Sequence, residues 1–184
     1  MFDLYCNQSV EYFNTSNSEL IALSNSLVDE TDNPVEKARK IINWVSSNIE
    51  HEDQIEEKGA TETYEDRIGD CSDFSDLAIT LLRIQNIPAR KIIGIVNPHW
   101  HPNVGDVFTY KAGNIYSETT IKGHAWFEYY VPNIGWIACD ADWNQNSDYF
   151  NKIDYIRFGF TVGSWIENAI GDNESEYNNP NFGY

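Results

Sequence analysis

Positive charge is scarce in this chain. Its 184 residues hold 12 Lys and Arg against 29 Asp and Glu, a formal net charge of −17. A nucleic-acid binder needs a basic footprint, and the sequence has none, so nucleic acid is not an expected partner. The same deficit argues against an anionic membrane surface. Cysteine is sparse too: Cys6, Cys71 and Cys139. An odd set of three builds no disulfide framework; it fits a reducing compartment and leaves a thiol free to act as a nucleophile. No apolar run approaches the length of a transmembrane helix. The start, Met1-Phe2-Asp3-Leu4-Tyr5-Cys6, lacks the basic and apolar regions of a signal peptide. These absences lead to an expected cytoplasmic protein without a membrane partner. The acidity reads most simply as a solubility device, although it would also suit a cationic substrate.

What is present is enough to fold. Hydrophobic residues make up 41% of the chain and aromatics 14%, well above the composition of a disordered segment. The length suits one domain with one core. Residues 1–30 form a polar segment with one short amphipathic helix around Leu20-Ile21-Ala22-Leu23 and Leu27-Val28. Residues 31–170 form the main domain, and 171–184 an acidic, Asn-rich, loosely held tail.

The first strong element begins at Asn33-Pro34. Asn33 can cap, Pro34 suits the first helical position, and Glu36 completes the signal. Val35, Ala38, Ile41, Ile42, Val45 and Ile49 then recur at helical spacing, with an end expected near His51-Glu52-Asp53. Residues 50–70 read as a polar, acidic connection. After Gly69-Asp70-Cys71, the residues Phe74, Leu77, Ala78, Leu81 and Leu82 mark a second helix over 71–85, stopped by Asn86-Ile87-Pro88. From Ala89 the pattern turns to strands. Lys91–Val96 is β-branched, and Val107–Ala112 with Ile115–Thr119 suggests a hairpin around Gly113-Asn114. His124–Val131 alternates, Pro132–Gly135 turns, and Trp136–Asp140 returns. Helices followed by an antiparallel meander predict an α+β fold.

Cys71 opens its helix directly after a glycine-containing turn. A helix N-terminus carries partial positive charge and unpaired N–H groups. Both favour thiolate over thiol, and the same N–H groups can hold an oxyanion when the thiolate attacks a carbonyl. His124 begins one strand and Asp140 ends the next. A hairpin turning near Pro132 brings them together, and their even separation lets both point to one face. A carboxylate bonded to an imidazole fixes its tautomer and stabilises its charged form. The imidazole can then take the thiol proton and later protonate a leaving amine.

Three blocks of sequence resemble the transglutaminase-like superfamily. Gly69-Asp70-Cys71-Ser72-Asp73-Phe74, with Leu81-Leu82-Arg83 and Ile87-Pro88-Ala89-Arg90, resembles the family's nucleophile block. Gly123-His124-Ala125-Trp126-Phe127-Glu128 resembles its histidine block. Gly135-Trp136-Ile137-Ala138-Cys139-Asp140 resembles its aspartate block, with Ala141-Asp142-Trp143 where a Pro-Thr pair is common. The resemblance covers roughly residues 34–143. It implies a papain-like core in which the nucleophile helix packs on an antiparallel β-sheet, with Cys71, His124 and Asp140 as the catalytic triad.

The resemblance implies a cysteine hydrolase that cleaves peptide or isopeptide bonds through a thioester, with a protein or peptide as substrate. The small size of the chain, without accessory β-domains, favours hydrolysis. Two alternatives stay open: a transamidase in which a lysine amine resolves the same thioester, and a non-catalytic binding module on the same fold. Tyr64, Trp44 and Trp126 are candidates for oxyanion or substrate contact by position, with packing as the competing role for each. No cofactor is required. Calcium, which some transglutaminases need, has no recognisable ligand loop in the acidic segment Glu50–Glu57. His99 and His101 flank Trp100, but two histidines without a third and fourth ligand do not specify zinc. Asp70 and Asp73 complement the helix N-terminus but oppose a thiolate by like charge, a conflict the sequence leaves open. Oligomeric state is not encoded in any pattern found.

Overall fold

The structure is a computed structural model, and it describes residues 12–54, 56–96, 109–110, 119–120, 122–154 and 157–162. The order is α1 (Ser18–Leu27), α2 (Pro34–Asn48), β1 (Glu50–His51), α3 (Gly59–Asp66), β2 (Ile68–Gly69), α4 (Cys71–Ile84), β3 (Ala89–Val96), β4 (Thr109–Tyr110), β5 (Thr119–Thr120), β6 (Lys122–Val131), β7 (Gly135–Cys139), a 3-10 turn (Trp143–Gln145) and β8 (Arg157–Val162). Helices lie against one antiparallel sheet of strand order β7-β6-β3-β8. The α+β fold expected from the sequence is the one found.

The caps explain the helix boundaries. At α2, Asn33 accepts from the amides of Val35 and Glu36, while Glu36 reaches back to the Asn33 amide. Reciprocal capping of this kind satisfies N–H groups that have no partner inside the helix. The apolar face read from the sequence is the buried one, with Ala38, Ile41, Ile42 and Val45 fully covered. This helix ends at Asn48 rather than near His51–Asp53, because the next residues become β1 and pair in parallel with β2. The stretch expected to be an irregular connection also contains α3. That helix buries only Gly59, Ala60 and Thr63, too few apolar groups to leave a periodic signal.

The end of α4 differs from expectation as well. Asn86 adopts a left-handed conformation with φ of 58°. The Ile87 amide donates to the Leu82 carbonyl and the Asn86 amide to the Arg83 carbonyl. This is the paired closure of a Schellman motif, so Asn86 ends the helix before Pro88 is reached.

Ala125, Phe127, Tyr129 and Val131 on β6 are buried, and the last three join α2 and α4 in the main core. The short N-terminal segment belongs to the same core. Phe13 and Leu20 are buried, and the Ser24 hydroxyl donates to the Leu81 carbonyl at 2.9 Å. Thr109 pairs with Thr120 across β4 and β5, while the turn read at Gly113-Asn114 lies outside the described residues, as do His99, Trp100, His101 and the tail. No described helix is long and apolar enough to cross a membrane.

One charge sits inside this core. Lys91 on β3 is fully buried, with Nζ 3.0 Å from Asp76 Oδ1 on α4 and also paired to Glu57. Removing one partner of a buried pair leaves the other charge uncompensated, which typically costs about 3–5 kcal/mol. Lys91 has two carboxylate partners, so Asp76→Ala is expected to lower urea stability by less than that, and Asp76→Ala with Glu57→Ala by more than either single change.

Candidate active site

Cys71 is the first residue of α4. Asp70 caps the helix by accepting from the amides of Ser72 and Asp73, and Asp73 returns a bond from its carboxylate to the Asp70 amide. The Cys71 amide lies outside that cap. Asp73 is fully buried, and its other oxygen accepts from the amides of Lys58 and Gly59. Both acidic neighbours of the thiol thus accept from backbone N–H groups. Burial, followed by the nearby Asp73 charge, raises the Asp70 carboxyl above its ordinary value. Gly69 is required by this packing. A Cβ there would lie 2.6 Å from the Asp73 Cβ, closer than carbon atoms approach.

The hairpin of β6 and β7 supplies the other two groups. Phe127 pairs with Cys139 and Val131 with Gly135, so the turn is centred on Asn133, one residue beyond Pro132. Asn133 takes the left-handed conformation this tight loop needs. In this register His124 and Asp140 share the face opposite the helices. His124 Nε2 lies 2.6 Å from Asp140 Oδ2, and both side chains are buried. Cys71 lies near enough to the imidazole for its charge to favour the protonated ring. Cys71 Sγ also accepts the Ala125 amide at 3.4 Å. The half-buried thiol, the imidazole and the carboxylate expected from the sequence are therefore brought together.

Electrostatics follow from this geometry. Burial alone would lower the His124 value, but the Asp140 charge, the Cys71 charge and hydrogen bonds to both outweigh it and raise it to about 10. Burial pushes Asp140 the other way, and it is overcome by the His124 charge and hydrogen bond, the Arg157 charge and the Trp143 amide, which hold Asp140 at about 2. Cys139, one residue earlier, points into the core. Burial raises its thiol to about 12, which keeps it protonated and inert.

Several residues of the site carried no local signal in the sequence. Arg157 of β8 is buried, and its Nη1 lies 2.6 Å from Asp140 Oδ2. Its guanidinium stacks 4.2 Å from the Trp143 ring centroid. Trp143 also donates its amide to Asp140 Oδ1 at 3.0 Å and covers His124, with ring centroids 4.7 Å apart. Asp142, which departs from the common Pro-Thr pair, accepts from His51 Nδ1 at 2.9 Å. Because His51 pairs with Gly69, this contact ties the segment entering Cys71 to the segment leaving Asp140. The alternating Arg157–Val162 run was the one available hint of β8.

The remaining candidates pack. Trp126 is 3% exposed and lies across Gly94 and Gly159, where a Cβ on Gly94 would meet its ring at 2.8 Å. Trp44 and Tyr64 face each other at 6.1 Å, with the Arg67 guanidinium over both. Arg90 holds Glu128 on the neighbouring strand at 2.7 Å, while Arg83 donates twice to the Ala89 carbonyl. Among the described residues no cluster of three or more His, Cys, Asp or Glu could hold a metal ion.

A helix whose first residue is a cysteine, laid against an antiparallel sheet that presents a paired histidine and aspartate, defines the papain-like class of folds. Within it, the chain belongs to the transglutaminase-like superfamily, whose family pattern matches residues 21–141. Protein YebA of Bacillus subtilis (strain 168), itself uncharacterized, is 29% identical over 128 residues. That match covers 63% of this chain and 16% of YebA, so the chain spans about a sixth of that relative's length. A structure of a candidate cysteine protease from Cytophaga hutchinsonii superimposes with a TM-score of 0.58 at 22% identity, over 84% of this chain and 44% of that one. The periplasmic domain of TgpA from Pseudomonas aeruginosa gives 0.50 at 20% identity, over 69% and 43%.

Linkage gives this site a pH signature. A raised imidazole contributes stability that is fully present below the unfolded value of 6.5 and is lost as pH rises through about 10. Thermal melts of the wild type should therefore fall across that interval. His124→Ala should flatten this part of the profile. The lowered Asp140 contributes stability above its ordinary 3.8 that is lost as pH falls toward about 2.

Proposed function

We propose that the chain is a cysteine hydrolase that cleaves amide bonds in a protein or peptide substrate. The observation that carries this reading is the buried His124–Asp140 pair at 2.6 Å beside a helix-start Cys71 whose sulfur accepts the amide of Ala125, the residue after His124. Cys71 Sγ attacks the carbonyl carbon, and negative charge moves to the carbonyl oxygen. The uncapped Cys71 amide at the start of α4 is placed to receive that charge. His124 gives its proton to the leaving amine, which departs and leaves a thioester on Cys71. His124 then takes a proton from water, the hydroxide displaces the thiolate, and the carboxylic product is released. Asp140 holds the imidazole in the required orientation throughout.

Water rather than an amine as the second nucleophile takes support from the protease description given to the C. hutchinsonii neighbour. Peptide products from casein, analysed with and without an added primary amine, separate the two enzyme readings. Cleaved ends are expected in both samples. Amine incorporation that outcompetes cleavage would replace the hydrolase reading with transamidation.

Thiol chemistry is testable without a substrate. Iodoacetamide should label Cys71 well below the pH of about 8.5 at which a free thiol is half ionised. His124→Ala should remove that advantage, and mass spectrometry of the labelled peptide identifies the cysteine. A Cys71 that is inert, or indifferent to His124, would leave a binding module on this fold.

A further inference from the structure

We infer that Arg157 is a positioning residue of this site: it pairs with the same Asp140 oxygen that His124 contacts and sets the pH window in which the Cys71–His124 pair is charged. The inference rests on the proposed thiol chemistry and adds to it a residue from a strand outside the three matching sequence blocks.

The argument starts from one oxygen. Asp140 Oδ2 lies 2.6 Å from His124 Nε2 and 2.6 Å from Arg157 Nη1. Its other oxygen accepts the Trp143 amide at 3.0 Å. A carboxylate held on three sides cannot rotate away from the imidazole. Arginine suits this place because its planar head stays charged at every working pH and also stacks on aromatic rings. Here it lies 4.2 Å from Trp143, 5.4 Å from Trp126 and 5.0 Å from Tyr149. The Arg157 side chain is 1% exposed. With little water between the charges, their mutual influence is strong.

The surroundings were built to admit it. Arg157 sits on β8 opposite Val96, two residues from Gly159, which pairs with Gly94. Those two glycines leave room for the Trp126 ring, on which the guanidinium rests. A side chain at Gly94 would collide with the Phe158 carbonyl at 2.1 Å and push β8 away. The charged and titratable groups that face Arg157 are Asp140 after β7, His124 on β6, and Asp154 and Tyr149 in the segment before β8. Asp154 Oδ2 lies 3.4 Å from Arg157 Nε and accepts the Tyr149 hydroxyl at 2.9 Å. Asp140 is thus shared between two cations, while Asp154 holds the rear of the guanidinium.

The sign of the effect follows. A fixed positive charge beside a cluster makes every protonated form in it less favourable. Removing it should shift both proton losses, that of the thiol and that of the imidazolium, to higher pH. It should also free the carboxylate to turn, which weakens the pair even at its optimum. A residue that only packs β8 onto the sheet would change stability without moving the two pH edges together.

The experiment is the pH–rate profile of Cys71 alkylation by iodoacetamide in the wild type, Arg157→Met and Arg157→Lys, with thermal melts of each. Arg157→Met is expected to move both edges upward and to lower the peak rate severalfold, because the 2.6 Å ion pair with Asp140 is lost. Arg157→Lys keeps the charge and loses the planar fork, so its edges should stay in place while the peak rate falls. A Met profile that overlays the wild type overturns the inference. Should Arg157→Met fail to fold, the Lys variant decides: upward-shifted edges or an unchanged peak rate overturn it. A wild-type Cys71 that reacts as an ordinary thiol whether or not His124 is present instead removes the proposed function beneath it.

Discussion

The structure is organised around a buried carboxylate. Asp140 ends β7 inside the protein, where an isolated anion would be strongly disfavoured. Three groups from separate elements compensate it: His124 from β6, the Arg157 charge from β8 and the amide of Trp143. Meeting that requirement fixes much else. The loop after Asp140 must curl back, and it does so with the Asn144 amide on the Asp140 carbonyl. It is anchored to α2 by Ser46, which donates to the Ala141 carbonyl, and by Gln145, which donates to the Ile49 carbonyl. The α2 helix is thereby tied to the site without contributing to it chemically.

Burial on both faces of β6 comes from the same demand. The odd-numbered residues pack against the helices, as alternation in the sequence implied. The even-numbered His124 and Trp126 would be solvent-facing in a simple two-layer fold. Here they are covered by Trp143, Tyr149 and Arg157. The second cover consists of irregular chain and one strand, not a helix. It serves to keep water from the ion pairs while leaving Cys71 half-exposed at the edge.

What could be read in advance was whatever depends on neighbours in sequence. The apolar faces of α2 and α4, the caps at Asn33 and the alternation of β6 are local properties, and each carried its own signal. Cys71, His124 and Asp140 were found because helix starts and hairpin ends are also local. Arg157, Trp143, Asp142 and His51 were not found as site residues, because their importance arises from contacts between residues far apart in the chain. The α3 helix escaped notice for a different reason: eight residues with three small buried groups have no periodicity to detect. Lys91 was read only as the start of the β-branched run Lys91–Val96, and the packing of α4 against β3 reveals that Asp76 and Glu57 pair with it.

The place of β8 in the topology has a consequence for how the protein matures. It is the last described strand, it lies at the sheet edge against β3 alone, and it carries Arg157 across to the end of β7 at the opposite side. The pairing of β8 with β3 joins residues 157–162 to residues 92–96, and contacts that distant in sequence close late, because loop entropy must be overcome before they form. While a new chain is still being assembled, the cysteine can already sit at the start of its helix, yet the charge cluster remains incomplete. On the proposed chemistry, a chain whose edge strand has not docked lacks the Arg157 charge beside Asp140.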